Sequence, residues 1–392
     1  MRLLFVADGR SPIALNWMRW WIDHGHEVHL ASTFACDPIP GLAEMDITPV
    51  AFIGSRPSPQ GGAKPTGGLW GVRTLGLRQK IRQWTGPLTI SRSAKRLREI
   101  VERVQPDLVH AMRIPYEGML AADAVASLQK PPPLLVSIWG NDFTLHAPSS
   151  PMMRHYTEWT TSVADAIHAD CWRDIRLARQ WGFPTDRPAF VAPGNGGIRS
   201  DVFFPPAEPV AAPVVINPRG FRGYVRNDTF FQSIPKVLVK RPDARFRCAS
   251  MAGEPQALKW IEQLGIQAAV ELLPPLPHTV MADIFRSAAV LVSPSTHDGT
   301  PNTLLEGMAC SCFPVAGDLE SIREWITPAV NGLLVNSSDP DSLADAVLSA
   351  LDQPDMRSKA AEHNRRLIAD RAEYSQNMVR ADAFYTRLIH PK

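Results

Sequence analysis

Two doubly wound α/β domains facing a central cleft are what this sequence predicts, on three observations. Short, unbroken apolar runs alternate with helical patterns along the whole length, and the alternation stops at a proline-rich stretch and then restarts. The chain has 392 residues, enough for two to three domains at roughly 150 residues each. Parallel strands covered on both faces read as continuous apolar runs, and the helices that cross between them supply the covering layers.

The first half opens on a strand over 2–7 and a helix to about His24, with Ser11 as its cap and Pro12 at its first position. Trp17, Trp20 and Trp21 on that helix fit a core better than a surface. Further strands are expected over 27–32, 47–52, 107–111 and 134–139, then, after the break, over 213–217, 244–251, 270–273, 289–293, 313–316 and 332–335. The break itself, Phe203-Phe204-Pro205-Pro206-Ala207-Glu208-Pro209, holds too much proline for a helix or a central strand and reads as a linker. The expected domains are 1–200 and 213–372, joined by 201–212. A last helix, about 373–392, carries Tyr374, Met378, Phe384, Tyr385 and Leu388 at helical spacing and is expected to pack back on the first domain. No internal repeat interrupts this plan.

The net charge of +2 conceals an asymmetry: between Arg56 and Arg103 eleven basic residues stand against two acids, so that segment is +9 and the remainder −7. Such local basicity argues for an anionic partner at one place and against a general nucleic-acid coat. Residues 56–71 are rich in Gly and Pro and read as a mobile loop. Residues 71–84 interleave Val72, Leu75, Leu77, Ile81 and Trp84 with Arg73, Arg78, Lys80 and Arg82, a composition suited to an anionic bilayer surface, a solvated basic face being the plainer alternative. No uncharged run approaches a membrane span, the start MRLLFVADGR reads as a strand, and five cysteines without Cys-x-x-Cys fit a reducing compartment. A cytoplasmic protein is expected, peripheral on the inner face of the plasma membrane through 56–103.

The most specific stretch is Ser293-Pro-Ser-Thr-His-Asp298-Gly299-Thr300-Pro301-Asn302-Thr303-Leu304-Leu305-Glu306-Gly307-Met308-Ala309: a strand, a Gly/Pro turn, then a helix. The unpaired amides and positive dipole end of that helix, from about Asn302 to Leu304, suit a phosphate. Asp298 and Glu306 bracket the turn and can bind the two ends of a nucleotide sugar. A second cluster, Arg219, Arg222 and Arg226, crowds the loop after the first strand of the second half, where arginine forks suit a diphosphate. A third set, Gly9, Asp142 and His146, lies at strand ends of the first half.

These motifs together resemble the retaining glycosyltransferases of family four, of the GT-B fold. Four more segments carry the likeness: His24-Gly25-His26-Glu27-Val28, Pro106-Asp107-Leu108-Val109-His110-Ala111, Ser137-Ile138-Trp139-Gly140-Asn141-Asp142, and Asn195-Gly196-Gly197-Ile198 through Phe204-Pro205. One departure is Asp298, where the family has Glu. The resemblance implies that Arg219 and Arg226 grip the donor diphosphate, with Arg222 a substitute for Arg219. It places Gly299, Thr300, Pro301, Asn302, Thr303, Leu304 and Gly9 near the phosphates, Asp142 and His146 near the transferred hexose, and the loop at Leu273 near the base. It further implies front-face transfer from a UDP- or GDP-linked hexose to a hydroxyl acceptor, such as a lipid-linked or polysaccharide precursor. No metal and no cofactor is called for, the nucleotide sugar being a substrate. A nucleotide-sugar epimerase of the same fold and an inactive sugar-nucleotide-binding protein are the competing readings. A NAD-dependent dehydrogenase is disfavoured by the lack of Gly-x-Gly-x-x-Gly after any strand.

Overall fold

A computed structural model describes residues 1–50 and 86–391. The loop expected over 56–71 and the amphipathic segment expected over 71–84 lie outside the described residues. The chain forms two compact units, one of Met1–Gly196 with Met378–Lys392, the other Gly197–Asn377.

The first unit is built on seven parallel strands: β1 (Arg2–Ala7), β2 (Glu27–Ser32), β3 (Glu44–Ile47), β4 (Leu108–Ala111), β5 (Leu134–Ile138), β6 (Ala166–Ala169) and β7 (Ala189–Val191). Their order is β3-β2-β1-β4-β5-β6-β7. The order reverses between β1 and β4, so the loops leaving these two strands diverge and open a crevice at the carboxyl edge. The strand expected over 47–52 is instead the polar edge strand β3, whose outer position does not demand an apolar run.

Helix Pro12–Asp23 buries Trp17 and Trp21 completely, so these two tryptophans belong to the core. Helix Tyr374–Ile389 contributes Met378 onward to this unit, and Tyr385 stacks on Trp21 with ring centroids 4.2 Å apart. Its hydroxyl enters a buried chain of hydrogen bonds. His168 Nε2 lies 3.0 Å from the Ala192 carbonyl and must donate to it, so Nδ1 accepts from Ser137 Oγ at 2.8 Å. Ser137 Oγ in turn accepts from His110 Nε2 at 2.7 Å. His110 Nδ1 then accepts from Tyr385 at 2.5 Å, and the tyrosine oxygen accepts from Trp17 Nε1 at 3.0 Å. Every proton has one place. Burial holds both imidazoles neutral, His168 at a pKa of about 4 and His110 well below its ordinary value through burial and the neighbouring His168.

The second unit has six parallel strands, β8 (Val214–Asn217), β9 (Arg245–Cys248), β10 (Val270–Leu272), β11 (Val290–Ser293), β12 (Phe313–Gly317) and β13 (Leu333–Val335), in the order β10-β9-β8-β11-β12-β13. Its switch point lies between β8 and β11. Helix Asn302–Ala309 is pressed against β11 so closely that a Cβ on Gly307 would lie 2.2 Å from Leu291 Cδ1. Part of the proline-rich stretch also packs into this unit: Phe203 is buried, 6.4 Å from the Phe285 ring, and the division between units falls at Gly196 and Gly197 rather than within 201–212.

Candidate active site

At the switch point of the second unit, β8 delivers Asn217, whose side chain is wholly buried and fixes the loop that follows. Its Oδ1 accepts from the Arg219 amide at 3.1 Å, and its Nδ2 donates to Asn227 Oδ1 at 3.0 Å. Asn227 Nδ2 in turn donates to the Gly220 carbonyl. The loop is tied to its neighbour as well, Arg226 N donating to Pro294 O and Thr296 N to Tyr224 O. Arg219 is thereby aimed across to β11: its Nη2 donates to Asp298 Oδ2 at 2.6 Å and its Nη1 to Thr303 Oγ1 at 3.2 Å. Only 8% of Arg219 is exposed. The turn bearing Asp298 is fixed by Ser321 Oγ, which donates to the Asp298 carbonyl, and by Trp325 Nε1, which donates to Thr300 Oγ1.

Glu306 follows one turn into the helix and is buried, which pushes its carboxyl up to about 7 while Arg219 pulls it down. An acid whose folded pKa lies above its unfolded one opposes folding once pH exceeds the unfolded value of 4.5, and the penalty is complete above about 7. At 1.36 kcal/mol per unit it is of order 3 kcal/mol. Glu306→Gln is therefore expected to gain on the wild type between pH 5 and pH 8, read by denaturant unfolding at each pH; a constant difference would contradict the shift.

The other sequence-predicted residues of this unit stand around the pair. Arg226 precedes helix Asn227–Lys240, forked onto Asp228 at 2.8 and 2.7 Å. Arg222 is exposed and donates to the Tyr224 hydroxyl. Leu273 follows β10, its carbonyl accepting from the Met251 and Ala252 amides. Gly299 and Pro301 form the turn before the helix. Leu304 departs from expectation: its side chain is in the core and its amide donates to Pro301 O at 2.9 Å, so the amides expected to meet a phosphate narrow to Asn302 and Thr303.

In the first unit a cavity of about 390 Å³ opens at the crevice beside β1 and β4, lined by Asp8, Arg10, Phe34, Arg113, Tyr116, Glu117, Trp139 and His146 among others. Two expectations change here. Gly9 spends its amide on Ser32 Oγ at 3.0 Å, and a Cβ there would lie 2.5 Å from Cys36 Sγ, so glycine serves packing rather than a phosphate. Asp142 is buried and clamps the site: Oδ2 accepts from the Ile114 and Trp139 amides at 3.1 and 3.0 Å, and Oδ1 from Arg113 Nη2 at 2.9 Å. Its carboxylate positions the loops instead of reaching a sugar. His146 does line the cavity.

Sequence reasoning missed Arg113, Tyr116 and Glu117. Tyr116 sits at φ 70°, ψ −58°, a costly backbone state that native structures keep where geometry is enforced. Glu117 is buried and accepts from Thr33 Oγ1 at 2.6 Å. The signal available was position alone, immediately after the strand expected over 107–111, where ligands of such sheets collect. Among the described residues one group, Asp170, Cys171 and Asp174, brings metal-ligand atoms within 4.8 Å of one another. A cation is already supplied there by Arg173, whose Nη2 lies 2.7 Å from Asp174 Oδ1.

Comparison with known proteins follows the same two-unit division. The family model of glycosyl transferases group 1 matches residues 220–353, and that of the glycosyl transferase 4-like domain matches residues 9–194. D-inositol 3-phosphate glycosyltransferase of Thermobispora bispora is 27% identical over 218 residues, 50% of either chain. The Frankia alni protein of the same name is 36% identical over 109 residues, 28% of this chain and 27% of its own. The chain thus spans about half the length, or less, of these curated relatives. Among solved structures, sucrose-phosphate synthase of Thermosynechococcus elongatus superposes with a TM-score of 0.74 at 14% identity, covering 100% of both chains. Anabaena HepE in complex with UDP-glucose gives 0.73 at 13% identity, covering 98% of this chain and 100% of that one.

Proposed function

Since the chain belongs to the group 1 glycosyltransferases of GT-B fold, we propose that it is a retaining, metal-independent hexosyltransferase acting from a UDP- or GDP-linked sugar on a hydroxyl acceptor. The observation that carries the reading is the convergence of Arg219, Asp298, Thr303 and Glu306 at the carboxyl ends of β8 and β11. A nucleoside diphosphate leaving group develops charge at its β-phosphate, and the Arg219 guanidinium with the amides of Asn302 and Thr303 supplies fixed positive potential to meet it. Glu306 suits the ribose hydroxyls. With charge supplied by side chains and amides, front-face attack needs no metal: the acceptor oxygen bonds to the anomeric carbon on the face from which the diphosphate departs, and the departing phosphate takes the hydroxyl proton.

HepE binds UDP-glucose, which makes that the first donor to test, and the inositol-phosphate enzymes make a polyol phosphate the first acceptor. The test is incubation with UDP-, GDP- and ADP-sugars, with and without acceptor and with and without a chelator. Nucleotide release that survives the chelator, with the anomeric configuration kept, is expected. Loss with the chelator would overturn metal independence, an altered sugar nucleotide would make the protein an epimerase, and binding without turnover would make it a binding protein.

We further propose cytoplasmic location with peripheral membrane contact. No helix among the described residues is long and apolar enough to cross a membrane. Helix Ile90–Val104 presents Arg92, Lys95 and Arg96 to solvent, each worth about 1 kcal/mol near an anionic leaflet. Flotation with anionic liposomes at low salt tests this, and an unbound protein would end it.

A further inference from the structure

Two negative groups have a claim on one guanidinium in the second unit. Arg219 is the group placed above against the donor's diphosphate, yet here its Nη2 is held by Asp298, with 7% and 15% of the two side chains exposed. Its Nη1 is held by Thr303. The remaining donor, Nε, is buried without a hydrogen-bond partner among the described residues.

A guanidinium binds a phosphate or carboxylate best through two parallel N–H bonds along one edge of its plane. The Nε–Nη2 edge is such an edge, and Asp298 uses only half of it. A buried donor left unpaired costs about 1–3 kcal/mol, so the ion pair as it stands is an incomplete one. A phosphate oxygen pair would satisfy both donors. To do so it must take Nη2 from Asp298, because a second anion at the same corner would face the carboxylate at contact distance in a mostly water-free site.

We infer that Asp298 is a displaceable counter-ion: the donor's diphosphate takes the Nε–Nη2 edge of Arg219, and the carboxylate so released turns to accept from a hydroxyl of the transferred sugar. Seating of the phosphates and presentation of the acid to the sugar are then one event. Asp298 is the residue for this role because, from its place in the turn, it reaches Nη2 and leaves Nε unserved, and one more methylene would carry the carboxylate on to Nε. The inference rests on the donor reading of this unit.

The test is calorimetric titration of UDP and GDP into the wild type, Asp298→Asn and Asp298→Glu, with turnover measured alongside. Asparagine keeps the shape without the charge to be displaced, so the nucleotide is expected to bind about tenfold tighter than to wild type, while turnover of the sugar nucleotide falls about a hundredfold. Glutamate, completing the edge, is expected to weaken nucleotide binding several-fold. A carboxylate that served only to hold the loop would leave both variants binding more weakly and melting lower. Equal or weaker binding by Asp298→Asn with unchanged melting overturns the displacement. Binding of neither nucleotide by any of the three proteins overturns the donor reading and the inference with it. Should Asp298→Asn not fold, stronger or unchanged binding by Asp298→Glu overturns it alone.

Discussion

Arg219→Ala is expected to lower kcat/KM for nucleotide-sugar turnover by about a thousandfold. The substitution removes a buried cation and two charge-assisted donors, each worth about 1.5–3 kcal/mol, where 1.4 kcal/mol is a factor of ten. Arg226 supplies the contrast. It is a third exposed and already forked onto Asp228, so Arg226→Ala is expected to lose one to two orders of magnitude, the smaller effect. Single-turnover assays with saturating donor separate binding from chemistry. Because truncation also removes the Arg219 ion pair from Asp298, Arg219→Lys serves as the control that keeps the charge and loses the planar guanidinium. A loss below tenfold in Arg219→Ala would remove this guanidinium from the donor site.

Tyr385→Phe is expected to destabilise the first unit by about 2–4 kcal/mol, the cost of leaving two buried polar groups unmade. The deleted oxygen is the acceptor for Trp17 Nε1 and the donor to His110 Nδ1, and neither has access to water. The ring stays, so packing on Trp21 is kept and the loss belongs to the hydrogen bonds. Denaturant unfolding followed by near-ultraviolet circular dichroism reads it; an unchanged midpoint would mean that the chain of bonds adds nothing net.

Much of the scaffold was legible because the signals were long. Stretches such as Leu3–Ala7 and Val290–Val292 are unbroken apolar runs, the pattern of parallel strands covered on both faces. The strands Ala166–Ala169 and Ala189–Val191 were not legible; the first is weakly apolar, Ala-Ile-His-Ala, and carries His168, whose burial is made tolerable by Ser137 and Ala192 from elsewhere in the chain. The site divides in the same way. Asp298, Glu306 and Arg219 sit at strand ends or on an adjacent helix, where local order predicts direction. Asp142 and Gly9 were misjudged because their partners, Arg113 and Ser32, are 29 and 23 residues away, and proximity of that kind leaves no local pattern.

The last helix has a consequence for how the protein is made. Tyr385 meets His110 across 275 residues of chain, and Met378–Lys392 belong to the same compact unit as Met1–Gly196. During synthesis the second unit, Gly197–Asn377, is complete on the ribosome before the first can close. Until residue 385 emerges, Trp17, Trp21 and His110 lack the ring that covers them. The first unit must therefore wait, partly open and with apolar surface uncovered, while the second folds behind it, and this interval is where chaperone dependence and aggregation should concentrate.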